Sequence, residues 1–109
     1  MARSLQVIRK RKTYILIRSN GNIFRSSAFN VQILEDNKLE NLIYVGFTAT
    51  KKLGTSVRRN KAKRIMRELA KKVLVKYGKI NSYYVLIAKS PIFEIPFDTQ
   101  KIELKKLIS

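Results

Sequence analysis

The sequence contains no cysteine and no histidine. Without cysteine there are no disulfides, thiolate nucleophiles or cysteine-ligated zinc sites, which suits a reducing cytoplasm. Without histidine, the commonest general base and transition-metal ligand is missing. Only 7 acidic residues stand against 24 basic ones, so carboxylates are scarce as well. A self-contained active site is therefore not expected.

Long hydrophobic runs are also missing. The longest apolar stretches, Leu42 to Ala49 and Tyr83 to Ala88, have the length of strands, whereas a membrane-spanning helix needs about 20 apolar residues. The N-terminal stretch MARSLQVIRKRK is basic but lacks the apolar region of a secretion signal. We expect a cytoplasmic protein with no membrane partner.

Positive charge is what the chain has in excess. Its 109 residues carry a net charge of +17, and the length is that of a single domain, residues 1–109. Self-repulsion of this size destabilises a compact state, so a polyanion is the expected partner, either nucleic acid or an anionic membrane surface.

The apolar pattern predicts an α+β fold. Alternating residues predict two strands that pair as an antiparallel hairpin, and a short apolar run predicts a central strand; these segments are Phe24 to Leu34, Leu42 to Thr50 and Tyr83 to Lys89. A first helix is expected from about Lys10 to the breaker at residues 19–22, and a last helix is expected with Asp98 as its cap. The combination favours a two-layer sandwich with helices on one face of the sheet and the other face partly free.

The longest helix is predicted from Val57 to about Lys76, capped by Thr55 or Ser56. Its apolar residues recur at the spacing of one buried face. Like charges three and four residues apart destabilise a helix, and Glu68 is the only acidic residue in this segment. A phosphate-binding face explains this pattern better than a solubilising face or a membrane anchor, although charge alone does not distinguish RNA from DNA.

The ordered residues of this helix resemble a known family. The segment Val57-Arg58-Arg59-Asn60-Lys61-Ala62-Lys63-Arg64-Ile65-Met66-Arg67, preceded by Lys51-Lys52-Leu53-Gly54, is similar to the RNR region of the bacterial ribonuclease P protein subunit. The likeness extends to Leu5 and Tyr14 as the first helix, to Phe29 to Leu34 and Tyr44 to Lys52 as a hairpin, and to Tyr83 to Lys89 as the following strand. It covers nearly the whole chain.

The resemblance implies a fold and a role. The fold has the order αβββαβα, with a mostly antiparallel central sheet and a βαβ crossover that carries the basic helix, like a domain of a small-subunit ribosomal protein. The role is that of a protein cofactor, a monomer in a 1:1 complex with a catalytic RNA that removes the 5′ leader from precursor tRNA. The RNA would carry the endonucleolytic chemistry with Mg²⁺, and no tight metal site is expected in the protein.

The resemblance also assigns two surfaces. The surface for the RNA subunit comprises Lys51, Lys52, Arg58, Arg59, Asn60, Lys61, Lys63, Arg64 and Arg67, with Asn60 as a candidate contact to metal ions. A cleft between the first helix and the open sheet face takes the single-stranded leader and comprises Tyr14, Arg18, Gln32 and Tyr44.

The chain departs from the family pattern within this cleft. Arg18 and Gln32 stand where the family has aromatic residues, and Tyr44 is expected to compensate in part. Tyr14 matches a family aromatic, but a tyrosine at the edge of the core is an equally good interpretation. Lys61 replaces an arginine, which keeps the charge and loses the planar fork of donors.

Two other functions remain open at this point. A ribosomal or other structural RNA-binding protein would have the same composition and charge. A stand-alone nuclease would need clustered carboxylates, for which Glu35, Asp36 and Glu40 are the nearest approach, although they are expected in a turn.

Overall fold

The computed structural model describes residues 4–109. Its helices and strands follow the order β1 (Leu5–Val7), α1 (Arg11–Asn20), β2 (Asn22–Arg25), β3 (Phe29–Glu35), β4 (Ile43–Thr48), α2 (Ser56–Leu69), α3 (Val75–Tyr77), β5 (Ser82–Ala88) and α4 (Phe97–Ile108). A π-helical turn, Ala70–Leu74, joins α2 to α3, so the helical path is continuous from Ser56 to Tyr77. The predicted α+β class is confirmed.

The strands of residues 4–109 form one sheet in the spatial order β1, β4, β5, β3, β2. The central strand β5 pairs antiparallel with β3 and parallel with β4. The predicted hairpin between β3 and β4 is therefore wrong, because β5 lies between them. The sheet is mixed rather than mostly antiparallel, since β1 and β4 are also parallel while β2 and β3 are antiparallel. The expected crossover is confirmed, with α2 connecting the parallel neighbours β4 and β5.

Asn81 shows how β5 is held between β3 and β4. Its backbone N–H donates to the carbonyl of Leu42 at 2.8 Å, and its own carbonyl accepts from the N–H of Asp36 at 2.8 Å. Its side-chain Oδ1 accepts from the N–H of Asn41 at 2.8 Å. The left-handed backbone at Asn81, with φ of 61°, is tolerated by asparagine better than by most residues. One residue thus ties the end of β3 and the start of β4 to the beginning of the strand between them.

Two short edge strands were missed in the sequence. β1 is only three residues long and pairs with β4, so its partner is far away in the chain. Leu5, which the resemblance places in the first helix, lies in this strand instead. The four residues of β2 are all exposed, and the chain turns into β3 through residues 26–28, where the Ser26 hydroxyl donates to the carbonyl of Phe29 at 2.8 Å. The predicted single strand from Phe24 to Leu34 is therefore two strands, and β1 precedes the expected order αβββαβα.

The helices begin and end close to the predicted positions, with one exception at a cap. Helix α1 starts at Arg11 and ends before Gly21. Thr55 caps α2, its side-chain oxygen accepting from the N–H of Arg58 at 3.3 Å. Asp98 does not cap α4, because the helix begins one residue earlier at Phe97. Asp98 lies in the first turn instead, where the positive end of the helix dipole stabilises its negative charge.

The two faces of the sheet are covered differently. On one face α2 and α4 bury the main core, which includes Phe29, Leu86, Met66 and Leu104. On the other face α1 is the one helix of residues 4–109 that packs, with Ile17 against Val85. The helices therefore lie on both faces, not on one face as the two-layer prediction had it. Part of the second face stays uncovered beside α1.

Candidate nucleic-acid interface

The exposed side of α2 forms a basic ridge, which we define by Asn60, Arg64 and Arg67. All three are exposed, while Ala62 and Met66 of the same helix are fully buried. The burial follows the helical repeat, because residues three and four apart share one face. The predicted phase of this helix is confirmed.

One flank of the ridge faces the segment before α4. The guanidinium of Arg58 lies 4.3 Å from the centre of the Phe93 ring, and the Lys61 ammonium lies 6.0 Å from it. Arg58 also donates from Nε to the carbonyl of Leu53 at 2.8 Å. It therefore has a structural role in addition to the predicted RNA contact.

The other flank faces the uncovered side of the sheet. Arg67 lies 5.9 Å from the centre of the Phe47 ring, near the outer limit for a cation–π contact. Lys63 is half-buried, and Arg59, one turn earlier on the helix, is half-buried too. This flank connects the ridge to the cleft described below.

Lys51 and Lys52 lie immediately before the ridge in a short 3-10 turn, Lys51–Leu53. Both side chains are exposed, whereas Leu53 is buried and anchors the turn. The turn ends at Gly54, whose φ of 115° strongly favours glycine. The structure thus places all nine predicted RNA-subunit residues on one continuous segment, residues 51–67.

A cleft of about 500 Å³, which we call the α1 cleft, opens between α1 and the uncovered part of the sheet. Its lining includes Tyr14 and Arg18 from α1, Gln32 from β3, and Lys63 from α2. Three of the four residues predicted for the leader cleft are therefore brought together. With Phe47 and Lys63, the cleft has two aromatic rings, two cations and one amide, and no carboxylate lines it within residues 4–109.

Tyr14 is held in place by the strand beneath it. The backbone of Gly46 lies so close that a Cβ there would approach the Tyr14 hydroxyl to 2.6 Å and its ring to 2.7 Å. The Tyr14 hydroxyl accepts from the N–H of Phe47 at 3.3 Å. The ring is half-buried and also lines the cleft, so it is a core-edge residue and a cleft residue at once.

Tyr44 is the one residue predicted for the leader cleft that does not lie with the other three. Tyr44 lies on the same face of the sheet but does not line the cleft. Its ring packs against Tyr83 with 5.6 Å between centroids, and burial, with a smaller contribution from Asp36, raises the pKa of Tyr83. Because Tyr44 pairs with Tyr83 whereas the cleft lies over Val85 and Ile87, the two tyrosines are at the other end of the strands.

Phe47 is the cleft residue that the sequence reasoning missed. Alternation along Leu42 to Thr50 puts Phe47 on the same face as Ile43 and Val45, and Phe47 does pack against the main core. It also lines the cleft, because the edge strand β1 stops pairing at Val45 and leaves the end of β4 uncovered. Val85 and Ile87 form the apolar floor. A correct prediction that β1 pairs with β4 only as far as Val45 would have shown that Phe47 is open to the cleft.

Two of the three candidate nuclease carboxylates, Glu35 and Asp36, form hydrogen bonds within the chain. Glu35 accepts from Lys79 Nζ at 2.8 Å, and this hydrogen bond raises the pKa of Lys79. Asp36 accepts from the N–H of Lys38 at 3.0 Å, which caps the turn. Within residues 4–109 no three acidic side chains converge in a way that could hold a metal ion.

None of the helices in residues 4–109 has the length and apolar character needed to cross a bilayer.

Comparison with known proteins identifies the family of this chain. The family model for ribonuclease P matches residues 2–109. The chain belongs to the ribonuclease P protein family. The resemblance found in the basic helix is therefore confirmed.

Two curated relatives illustrate the extent of the match. The ribonuclease P protein component of Bartonella quintana is 30% identical over 106 residues, which cover 93% of this chain and 79% of the relative. That of Caulobacter vibrioides is 38% identical over 82 residues, which cover 75% of this chain and 54% of the relative. The match thus spans about half the length of the Caulobacter protein.

Solved structures of the family share the fold. The ribonuclease P protein from Thermotoga maritima superposes with a TM-score of 0.79 at 23% identity, covering 94% of each chain. The Staphylococcus aureus protein superposes with a TM-score of 0.75 at 27% identity, covering 93% of this chain and 90% of that chain. The overall fold of this chain is therefore that of the solved ribonuclease P proteins.

Proposed function

We propose that this chain is the protein subunit of a ribonuclease P ribonucleoprotein that removes the 5′ leader from precursor tRNA. The basic ridge with its two flanks binds the catalytic RNA, and the α1 cleft binds the single-stranded leader. The observation that carries the proposal is the position of Lys63, on the helix of the ridge and in the lining of the cleft. A single rigid element thus connects the two surfaces.

The ridge is suited to RNA phosphates. Arg64 and Arg67 are exposed and carry planar donor groups that can hold a phosphate through two hydrogen bonds. No salt bridge engages either of them within residues 4–109. Each phosphate contact releases counterions from the RNA, so binding should weaken steeply with salt.

The α1 cleft is suited to an unpaired strand. Proteins grip single strands with a basic groove and aromatic side chains on which bases stack, and each stacked base contributes about 1 to 3 kcal/mol. Here Tyr14 and Phe47 supply the rings, and Arg18 and Lys63 supply the charge. Phe47 provides an aromatic ring in a cleft where Arg18 and Gln32 replace the family's aromatics.

Magnesium fits this proposal as a partner of the RNA, where it would activate the attacking water. The chain's own residues do not suit a tight inner-sphere site, because Asn60 is exposed and no carboxylate lies within four residues of it in sequence. Asn60 would contact a hydrated ion held by the RNA. We also propose a cytoplasmic monomer that forms a 1:1 complex with the RNA.

The test is precursor-tRNA cleavage by the cognate catalytic RNA at low, near-physiological Mg²⁺, with and without this protein. We expect the protein to restore cleavage at the mature 5′ end and to have no activity without the RNA. Replacing Glu35, Asp36 and Glu40 together by Ala should leave cleavage unchanged, because these side chains lie outside both surfaces. If the RNA binds but cleavage is not restored, a structural RNA-binding role is the better assignment.

A further inference from the structure

A second basic groove lies away from the ridge and the cleft. It runs between the end of the long helical path and α4, and we call it the α4 groove. Its volume is about 270 Å³. Four lysines, one tyrosine and one exposed isoleucine form most of its lining: Lys72, Lys76, Tyr77, Lys101, Ile102 and Lys105.

The lysines converge because both helices present them one turn apart. Lys72 and Lys76 are four residues apart on one side, and Lys101 and Lys105 are four residues apart on the other. Like charges at this spacing destabilise a helix, so their placement is unfavourable unless an anion offsets it. Two such pairs facing one another concentrate the repulsion in a single groove.

Tyr77 lies among these lysines, and its hydroxyl is sensitive to their positive charge. The Lys105 ammonium is 4.4 Å from the centre of the Tyr77 ring, and that of Lys76 is 5.5 Å away. These cations, with Lys105 first, lower the pKa of the Tyr77 hydroxyl. The surroundings therefore stabilise negative charge at this exposed position.

Acidic side chains neutralise only part of the cluster. Asp98 pairs with Lys101 at 3.2 Å, whereas Glu68 pairs with Lys71, which lies outside the groove. Lys72 and Lys105 form no salt bridge within residues 4–109. Lys72 and Lys105 therefore give the groove positive charge that no carboxylate of these salt bridges offsets.

We propose that the α4 groove is a second contact site for backbone phosphates of the RNA subunit. The inference rests on the proposed function, because it takes the same RNA that binds the ridge. The helical path from Arg64 to Lys76 is about 18 Å long at 1.5 Å per residue, so a structured RNA lying on the ridge can reach the groove. The α1 cleft opens on the opposite face of the sheet, which separates the groove from the leader.

The composition of the groove favours RNA over a lipid surface. Ile102 is its only strongly exposed aliphatic side chain, with 57% of its surface accessible. Helices that lie in a membrane interface insert a broad apolar face with aromatic residues. Four lysines around one tyrosine fit phosphates that are spaced along a strand.

The test compares two double variants that each lose two positive charges. Lys72→Gln with Lys105→Gln alters the groove, and Lys38→Gln with Lys106→Gln is the control on exposed lysines outside it. Affinity for the RNA subunit is measured from 50 to 200 mM salt. We expect the groove variant to flatten the slope of log affinity against log salt by about 1.5, at about 0.7 to 0.9 per lost phosphate contact. The control should keep the wild-type slope within about 0.5, with both variants melting like the wild type.

Equal slopes for the groove variant and the control would overturn the proposal. A loss of affinity for precursor or mature tRNA in the reconstituted complex, without a change for the RNA subunit, would overturn the choice of RNA. Groove-dependent binding to anionic vesicles with unchanged RNA binding would assign the groove to a membrane. If the wild type promotes cleavage and only the groove result is negative, this inference fails alone; if the wild type does not bind the RNA subunit, both proposals fail.

Discussion

The two faces of the sheet differ in how completely helices cover them. On the face under α2 and α4, Phe29, Leu86 and Leu104 are fully buried in one large core. On the face under α1, the buried cluster is small, and beside it Gln32 and Ile87 line an open cleft. The first face supplies most of the hydrophobic stabilisation, and the second keeps a binding surface on the same rigid strands. A cleft floor made of central strands needs little ordering when a ligand binds.

The largest expected effect is a difference in the free energy of unfolding between substitutions at two adjacent residues of β5, one on each face of the sheet. Leu86→Ala should lower the free energy of unfolding by about 2 to 5 kcal/mol, because it leaves a cavity in the main core. Ile87→Ala should lower it by only about 1 to 2 kcal/mol, because Ile87 is half-buried at the cleft. Urea unfolding of both variants measures the difference. Equal losses would mean that the two faces contribute equally to stability.

The next effect concerns the ring in the cleft. Tyr14→Ala should weaken binding of precursor tRNA in the reconstituted complex by about 5- to 150-fold and spare mature tRNA, the range for one stacked base. Gly46→Ala should act in the same direction, because its Cβ would displace the Tyr14 ring. Tyr14→Phe keeps the ring and is the control. If all three variants weaken both tRNAs equally, the ring contributes to folding and not to the leader site.

A smaller effect distinguishes the outer surface of α2 from the core beneath it. Arg64→Gln should leave the melting temperature unchanged, because the side chain is exposed and forms no salt bridge within residues 4–109. It should flatten the salt slope for RNA-subunit binding by about 0.7 to 0.9, the value of one phosphate contact. Lys38→Gln serves as the control in the same titration. An unfolded Arg64 variant would show that the side chain is needed for the core.

The smallest effect is the titration of Tyr77, on the outside of the well-covered face. Its pKa should be below the ordinary value for tyrosine, because Lys105 and then Lys76 stabilise the phenolate. Lys105→Gln should move it back up, and Lys106→Gln should not. Absorbance at alkaline pH measures the tyrosines together, so Tyr77→Phe identifies the contribution of this residue. An unchanged pKa in the Lys105 variant would show that the lysines do not converge on the ring.

The sequence predicted those elements whose signals are local. Helix α2 follows from its apolar repeat and from the cap at Thr55, which accepts a hydrogen bond three residues away. The position of β5 in the middle of the sheet follows from its continuous apolar run, which both faces bury. The nine residues predicted to contact the RNA subunit could be selected from the sequence because all lie within residues 51–67, and their contact with RNA stays a prediction.

The sequence did not predict what depends on distant pairing. The alternation in β3 and β4 is equally compatible with a hairpin and with two strands flanking a third. The pairing of β5 with both strands, together with the bonds to Asn81, distinguishes the two arrangements. For the same reason the sequence predicted Tyr44 in the cleft lining and not Phe47, whereas Phe47 lines the cleft and Tyr44 does not. The open end of β4 is determined by the residue at which β1 stops pairing and by the position where α1 crosses the sheet. The sequence around Tyr44 and Phe47 contains no signal for either.

We propose that the α1 cleft holds the leader while α2 holds the RNA subunit, and site-specific crosslinking tests both assignments. The chain has no cysteine, so Thr48→Cys introduces one unique site in the cleft for a photo-crosslinker. In the complex with catalytic RNA and precursor tRNA, we expect crosslinks to leader nucleotides that disappear when mature tRNA replaces the precursor. Lys38→Cys, outside both surfaces, should give none to the leader. Crosslinks from position 48 to the catalytic RNA alone, unchanged by the presence of a leader, would contradict the assignment of the two surfaces.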